Sequence, residues 1–119
     1  MTQLRSIMPS LKESKRYLVF EIISKQKLSD FNIVSNTLKE GIIRLIGELG
    51  IARAELRILK DCWYPESQRG IMQLNNKSLN EVKASLGLIK DINGKKVIVR
   101  SIGVSGMLNK AKSRYLNNK

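Results

Sequence analysis

The residues best suited to chemistry lie near the C-terminal end of the chain, where residues 100–116 read RSIGVSGMLNKAKSRYL. Gly103 and Gly106 interrupt an apolar, strand-like run. Such glycines allow a turn at φ values closed to other residues, and backbone N–H groups that open a helix can bind a phosphate. We therefore predict that the chain leaves its last strand at these glycines, and that Ser105 caps the following helix or donates to a phosphate. The basic side chains that would extend this contact are Lys110, Lys112 and Arg114.

A nucleotide-binding loop is the competing interpretation of the same glycines. The run GVSG lacks the lysine spacing of a Walker loop and does not open a βαβ unit. The sequence therefore favours contact with a phosphate of a larger polyanion.

The side chains that usually carry catalysis are few and scattered. The sequence contains no histidine, which removes the commonest general base and metal ligand, and its one cysteine, Cys62, has no imidazole to activate it. The acids fall on predicted polar faces, as at Glu40, Glu48 and Glu81. A small hydrolase of the acylphosphatase type would need a glycine and arginine loop near the first strand, and none occurs. We predict that the chain alone is not catalytic and binds no metal or other cofactor.

Two aromatic residues, Trp63 and Tyr64, stand beside Pro65 in a predicted loop. They either fold over an edge of the core or form an anchor for a protein partner or an RNA base. Both interpretations stay open at the level of sequence, and the pair is the predicted partner-binding site.

The hydrophobic pattern predicts the element order β-α-β-β-α-β followed by a helix. The predicted bounds are Tyr17–Ser24, Asp30–Leu49, Ala54–Lys60, Arg69–Leu74, Ser78–Lys90, Lys95–Ile102 and Met107–Leu116. This order predicts an α/β sandwich, ferredoxin-like or similar to the RNA recognition motif, with a four-stranded antiparallel sheet and two helices on one face. The C-terminal helix would cover part of the other face. The first strand is apolar on both faces and should be central.

Local signals predict where these elements begin and end. Ser29 is the expected N-cap of the first helix and Gly50 its end. Ser78 and Glu81 have the spacing of a capping box, and Asn93-Gly94 is a tight-turn signal. Residues 1–13 are predicted to be a flexible basic lead-in, and residues 14–119 a single RNA-binding domain.

The two chain ends carry the excess of positive charge. The chain has 22 Lys+Arg against 10 Asp+Glu, a formal net charge of +12. Residues 1–27 hold six basic residues and two acids, residues 28–94 hold nine and eight, and the chain after Asp91 holds seven basic residues and no acid. Such asymmetry is typical of a protein that binds a polyanion.

Phosphate contacts are favoured over base stacking, because aromatic residues make up only 5% of the chain. Phosphate contacts position RNA without reading its sequence. The predicted RNA-binding residues are Lys12, Lys15, Arg16, Lys95, Lys96, Arg100, Gly103, Ser105, Gly106, Lys110, Lys112 and Arg114.

Composition also bounds the setting. The single cysteine excludes a disulfide framework, and no apolar run approaches the roughly 18 to 20 residues that cross a bilayer. The first residues lack the apolar core of a signal peptide. We expect a protein of the reducing cytoplasm that has no membrane partner.

Four stretches of the chain are familiar when taken together. They are PSLKESKRYLVFEI (residues 9–22), IRLIGELGIARAELRILK (43–60), RGIMQLNNKSLNEVKASLGLI (69–89), and ING followed by VIVRSIGVSGMLNKAK (92–112). In this order, and over nearly the whole chain, they resemble the archaeal ribonuclease P protein component 2 family. That family is the archaeal branch of the Pop/Rpp small subunits of ribonuclease P and its MRP relative.

The resemblance implies a sandwich similar to the RNA recognition motif, and a subunit of the ribonucleoprotein that removes 5′ leaders from precursor tRNA. It implies that the RNA performs the hydrolysis with magnesium, and that the chain supports the catalytic domain of ribonuclease P RNA together with ribonuclease P protein component 3 and other subunits. The family usually has a small polar residue where this chain has Met107, and more basic residues in the last helix. The alternative is a general RNA-binding or ribosome-associated protein-docking module.

Overall fold

The computed structural model of the chain describes residues 15–116, so Lys12 and the predicted lead-in of residues 1–13 lie outside the described part. The strands are β1 (Lys15–Ser24), β2 (Arg57–Ile58), β3 (Arg69–Asn75), β4 (Asp91–Ile92) and β5 (Lys95–Ser105). The helices are α1 (Phe31–Ala54), α2 (Leu79–Leu86) and α3 (Leu108–Ala111), and α3 continues as a π turn over Lys112–Leu116. Short 3₁₀ turns occupy Lys60–Cys62 and Asn76–Ser78.

The strands form one antiparallel sheet in the spatial order β2-β3-β1-β5-β4. Without β4, this is the strand order of a ferredoxin-like fold, so the predicted fold class is confirmed. The edge strand β4 was not predicted, because two residues are too few to show a hydrophobic pattern. It forms because Asn93 and Gly94 adopt φ values of 54° and 79°, which close a two-residue hairpin between β4 and β5.

Both faces of the central strand β1 are covered over most of its length, as its apolar residues predicted. Its helical face carries Leu18, Phe20 and Ile22, which are buried against α1 and α2. Its opposite face, called the second face below, carries Val19, which is buried in a smaller cluster with residues of β3 and the C-terminal segment. The C-terminal segment (residues 108–116) therefore covers part of the second face, which confirms the predicted arrangement.

Helix α1 differs from its prediction at both ends. Asp30, rather than Ser29, is the N-cap, because its carboxylate accepts a hydrogen bond from the Asn32 N–H at 2.9 Å. Gly50 does not end the helix, which continues to Ala54 and closes at Glu55 with a φ of 52°. The irregularity falls instead at Gly47, whose φ of 77° and ψ of 173° kink the helix.

The longer α1 shortens the element that follows it. The strand predicted over Ala54–Lys60 is reduced to β2, which pairs with β3 through Arg57 and Ile58. The capping box at α2 is also wrong, since Ser78 is the N-cap residue but its side chain makes no capping hydrogen bond. That helix ends at Leu86 rather than at Lys90.

Candidate nucleic-acid interface

The C-terminal segment is fixed to the second face by packing and by one strong hydrogen bond. Ala111 and Leu116 are buried against Val19 and Ile71. The Arg69 guanidinium donates to the Tyr115 carbonyl oxygen at 2.6 Å, which satisfies a backbone acceptor at the end of the π turn. The segment therefore occupies the central strands, where an RNA recognition motif would stack bases on its sheet.

Gly103 has a packing role, so the predicted glycine hinge is wrong. Strand β5 runs through Gly103 to Ser105, and among the described glycines only Gly47 and Gly94 have positive φ. A Cβ atom on Gly103 would overlap the aromatic ring of Tyr115. Glycine is needed here because the ring lies directly on the β5 backbone. At Gly106 an added Cβ would meet, among residues 15–116, only the Arg16 guanidinium, 3.8 Å away.

The register of β1 and β5 brings the basic start of β1 to the glycine-containing end of β5. Tyr17 pairs with Ser105, so Arg16 lies beside Gly106. The Ser105 hydroxyl accepts a hydrogen bond from the Met107 N–H at 3.1 Å, and thus caps the turn that leads into α3. The N-cap of α3 itself is Met107, without a side-chain capping hydrogen bond, so Ser105 stabilises the preceding turn and is not the predicted helix cap.

The basic side chains of this end form what we call the C-terminal basic surface. Lys110 and Arg114 are exposed on the C-terminal segment, and Lys112 is half-buried. Lys15 is exposed and Arg16 half-buried at the start of β1. The residues of the C-terminal basic surface are Lys15, Arg16, Ser105, Gly106, Lys110, Lys112 and Arg114.

Two predicted RNA-binding residues lie far from this surface. Lys95 and Lys96 begin β5, ten residues before Ser105. At roughly 3.3 Å per residue, the extended strand separates them from Ser105 by about 30 Å. They lie instead beside Lys25, at the end of β1. The predicted single surface is therefore divided between the two ends of the sheet.

Arg100 lies between these ends in a charge network that the sequence did not reveal. Glu21 of β1 stands opposite Arg69 of β3 and Arg100 of β5 in the sheet register. Its carboxylate accepts from the Arg69 Nε at 3.2 Å and from the Arg100 Nε at 2.9 Å. The only signal in the sequence is one acid in an otherwise apolar strand. The Arg100 side chain remains 58% exposed, so it can still face a phosphate.

The aromatic pair divides into a core residue and a surface residue. Trp63 is only 9% exposed and its ring stacks on Phe20, with ring centroids 6.1 Å apart and planes 16° apart. Trp63 therefore packs over the edge of the core, and only 9% of its surface is left for the predicted contact with a partner. Tyr64 is 37% exposed and keeps the predicted partner-binding position.

Cys62 lies in the small cluster on the second face and is 2% exposed. Burial raises the pKa of its thiol above the ordinary value, against a smaller lowering by the charge of Lys112. The thiol is therefore protonated at neutral pH and is a packing group. No three acidic or thiol side chains of residues 15–116 converge as a metal site would require. No helix in that range is long and apolar enough to span a membrane.

Comparison with known proteins agrees with this architecture. Residues 16–116 match the family model of the Rpp14/Pop5 family. Ribonuclease P protein component 2 of Pyrococcus abyssi is 32% identical over 115 residues, which cover 97% of this chain and 95% of the relative. The protein of the same name from Methanosarcina mazei is 30% identical over 115 residues, with the same coverage of 97% and 95%.

A solved structure shares the fold. A chain in the cryo-EM structure of yeast ribonuclease MRP superposes with a TM-score of 0.60, covering 79% of this chain and 75% of that chain at 13% identity. The resemblance noted in the four sequence stretches is confirmed by these matches over nearly the full length. The chain therefore belongs to the Rpp14/Pop5 family.

Proposed function

We propose that the chain is a protein subunit of ribonuclease P, in which it binds and supports the catalytic RNA during removal of the 5′ leader from precursor tRNA. The observation that carries this proposal is the C-terminal basic surface, fixed to the sheet of a protein of this family. Archaeal relatives that match nearly the whole chain bear the name ribonuclease P protein component 2.

The C-terminal basic surface is suited to RNA backbone rather than to bases. Its cations stand on a segment whose inner side is buried, so their positions relative to β1 and β5 are set by packing. Because the backbone is already fixed, phosphate binding needs no ordering of the segment itself, and lysine and arginine contacts to phosphates impose no base preference. Any sequence recognition would come from the catalytic RNA, and the chain would supply positive charge.

In this proposal the phosphodiester chemistry belongs to the RNA. Magnesium would be held by RNA and substrate rather than by this chain. The chain would reduce repulsion between RNA phosphates and so assist magnesium. Protein component 3 would be one partner, and Tyr64 is the aromatic residue available to contact a protein subunit.

Direct binding to ribonuclease P RNA tests this proposal against a general RNA-binding role. The chain should bind the ribonuclease P RNA of its own genome at least tenfold more tightly than a structured RNA of equal length, measured by filter binding in 0.15 M salt. Chemical footprinting should show protection confined to the catalytic domain. Equal affinity for both RNAs, with no confined protection, would favour the alternative of a general RNA-binding module.

A further inference from the structure

One end of the second face lies beyond the C-terminal segment. Ile23 of β1 and Ile98 of β5 are paired directly across the sheet, and they are 43% and 61% exposed. The segment contacts the sheet at the row of Glu21, where Arg69 bonds both that carboxylate and the Tyr115 carbonyl. Within residues 15–116, two partly exposed β-branched side chains therefore stand on the sheet next to a row of satisfied charges.

A groove of about 660 Å³ surrounds this pair. Its lining comes from the end of β1 and the start of β5, and consists of Ile23, Ser24, Lys25, Gln26, Lys95, Lys96, Val97 and Ile98. We call it the isoleucine groove. Three of these eight residues are lysines and none is acidic. Asp91 of β4 pairs with Lys96 of β5 but does not line the groove. The neighbouring Glu21 is already bonded to Arg69 and Arg100.

The exposed isoleucine pair and the three lysines together indicate what kind of segment would bind in the groove. RNA phosphates would pair with the lysines but would leave the isoleucine pair against solvent or charge. A wholly apolar segment would cover the isoleucines and leave the lysines without partners. A protein segment that carries apolar side chains flanked by aspartate or glutamate satisfies both, since it buries the isoleucine pair and complements the lysines.

We propose that the isoleucine groove is a docking site for an acidic and apolar segment of another protein subunit of the same ribonucleoprotein. This inference rests on the proposed function, because it takes its partner from the ribonuclease P particle. It separates the two basic ends of the sheet by role. The C-terminal basic surface contacts RNA, and Lys25, Lys95 and Lys96 pair with carboxylates of a protein.

Association without RNA tests the energetic part of the proposal. The protein subunits of ribonuclease P encoded in the same genome are produced separately, and the affinity of each for the chain is measured by calorimetry. Ile98→Glu should weaken association with one subunit at least tenfold, while Leu88→Glu, the matched control at a leucine that is 60% exposed elsewhere, should not. Unchanged association of Ile98→Glu with every subunit would overturn the proposal. Ile98→Ser repeats the test if the glutamate variant does not fold.

Crosslinking in the assembled particle tests the identity of the occupant. With the photoreactive amino acid benzoylphenylalanine at position 98, irradiation should crosslink the chain to a protein segment rich in Asp or Glu, identified by mass spectrometry. A crosslink to RNA, to a second copy of the chain or to a non-acidic segment would overturn the proposal, as would no crosslink. Cleavage of precursor tRNA by the wild-type particle separates the two failures. If the wild-type particle cleaves precursor tRNA but position 98 crosslinks to another target or to none, only the groove proposal fails. If the wild-type chain does not bind ribonuclease P RNA, the proposed function fails.

Discussion

Gly103→Ala is expected to lower the free energy of unfolding by about 1 to 3 kcal/mol, the usual cost of forcing an extra group into a packed site. The new Cβ would overlap the Tyr115 ring, so either the ring or the β5 backbone must move. The backbone that carries the ring is held in place, because Arg69 bonds the Tyr115 carbonyl and the neighbouring Leu116 is 3% exposed. Strain at Gly103 should therefore loosen the whole C-terminal segment. Urea denaturation followed by circular dichroism measures this change.

Gly106→Ala is the matched control, because its Cβ would enter nearly open space beside Arg16. We expect this variant to lie within about 0.5 kcal/mol of the wild type, as surface substitutions usually do. The cost of Gly103→Ala should also shrink in a Tyr115→Ala background, where the overlapping ring is gone. Equal stability of the Gly103 and Gly106 variants would contradict the packing role of Gly103.

Neutralising the C-terminal segment should produce the largest change in RNA affinity. The triple variant Lys110→Gln, Lys112→Gln and Arg114→Gln removes up to three phosphate contacts. Each contact contributes roughly 0.7 to 0.9 to the slope of log affinity against log salt, so the slope should fall by about 2 to 3. At 0.15 M salt the same relation, taken from 1 M salt, corresponds to a loss of affinity of roughly fiftyfold to two-hundredfold. Filter binding to ribonuclease P RNA between 0.05 and about 0.3 M salt measures both quantities.

The control for this variant must change net charge equally at a different place. Lys39→Gln, Arg44→Gln and Lys83→Gln remove the same residue types from exposed positions on α1 and α2, on the opposite side of the sheet. The slope of this control variant should fall by no more than about one-third of the fall expected for the C-terminal variant. If the two triple variants lose slope equally, net charge rather than the C-terminal basic surface governs binding. An unchanged slope in the C-terminal variant would exclude that segment from the interface.

The sheet and its core were predictable from sequence because they depend on strong local patterns. The apolar residues of β1 indicated a central strand, and Asn93-Gly94 indicated a tight turn. That this turn closes a hairpin with β4 was seen only in the structure. The bounds of α1 were not predictable from the glycines alone. Gly50 packs within the helix against Ile46, whereas Gly47 adopts the non-helical conformation, and only the tertiary environment distinguishes them.

The candidate site was predicted in part. Its RNA-binding residues stay a prediction, and the role of Gly103 as a hinge was wrong, because the contact that requires glycine comes from Tyr115, twelve residues later. The separation of Lys95 and Lys96 from Ser105 follows from the length of the strand, which could have been estimated from the sequence. The Glu21 network could not be read from sequence, because it depends on the register of three strands.

We propose above that this chain supports an RNA that performs the cleavage. The most direct test is the magnesium dependence of precursor tRNA cleavage by the cognate ribonuclease P RNA, with and without the chain and protein component 3, its proposed partner. If the chain supplies positive charge to the RNA, half-maximal cleavage should occur at a magnesium concentration at least twofold lower when both proteins are present. The C-terminal triple variant should lose most of that shift. Identical magnesium curves with and without the wild-type chain would contradict the account.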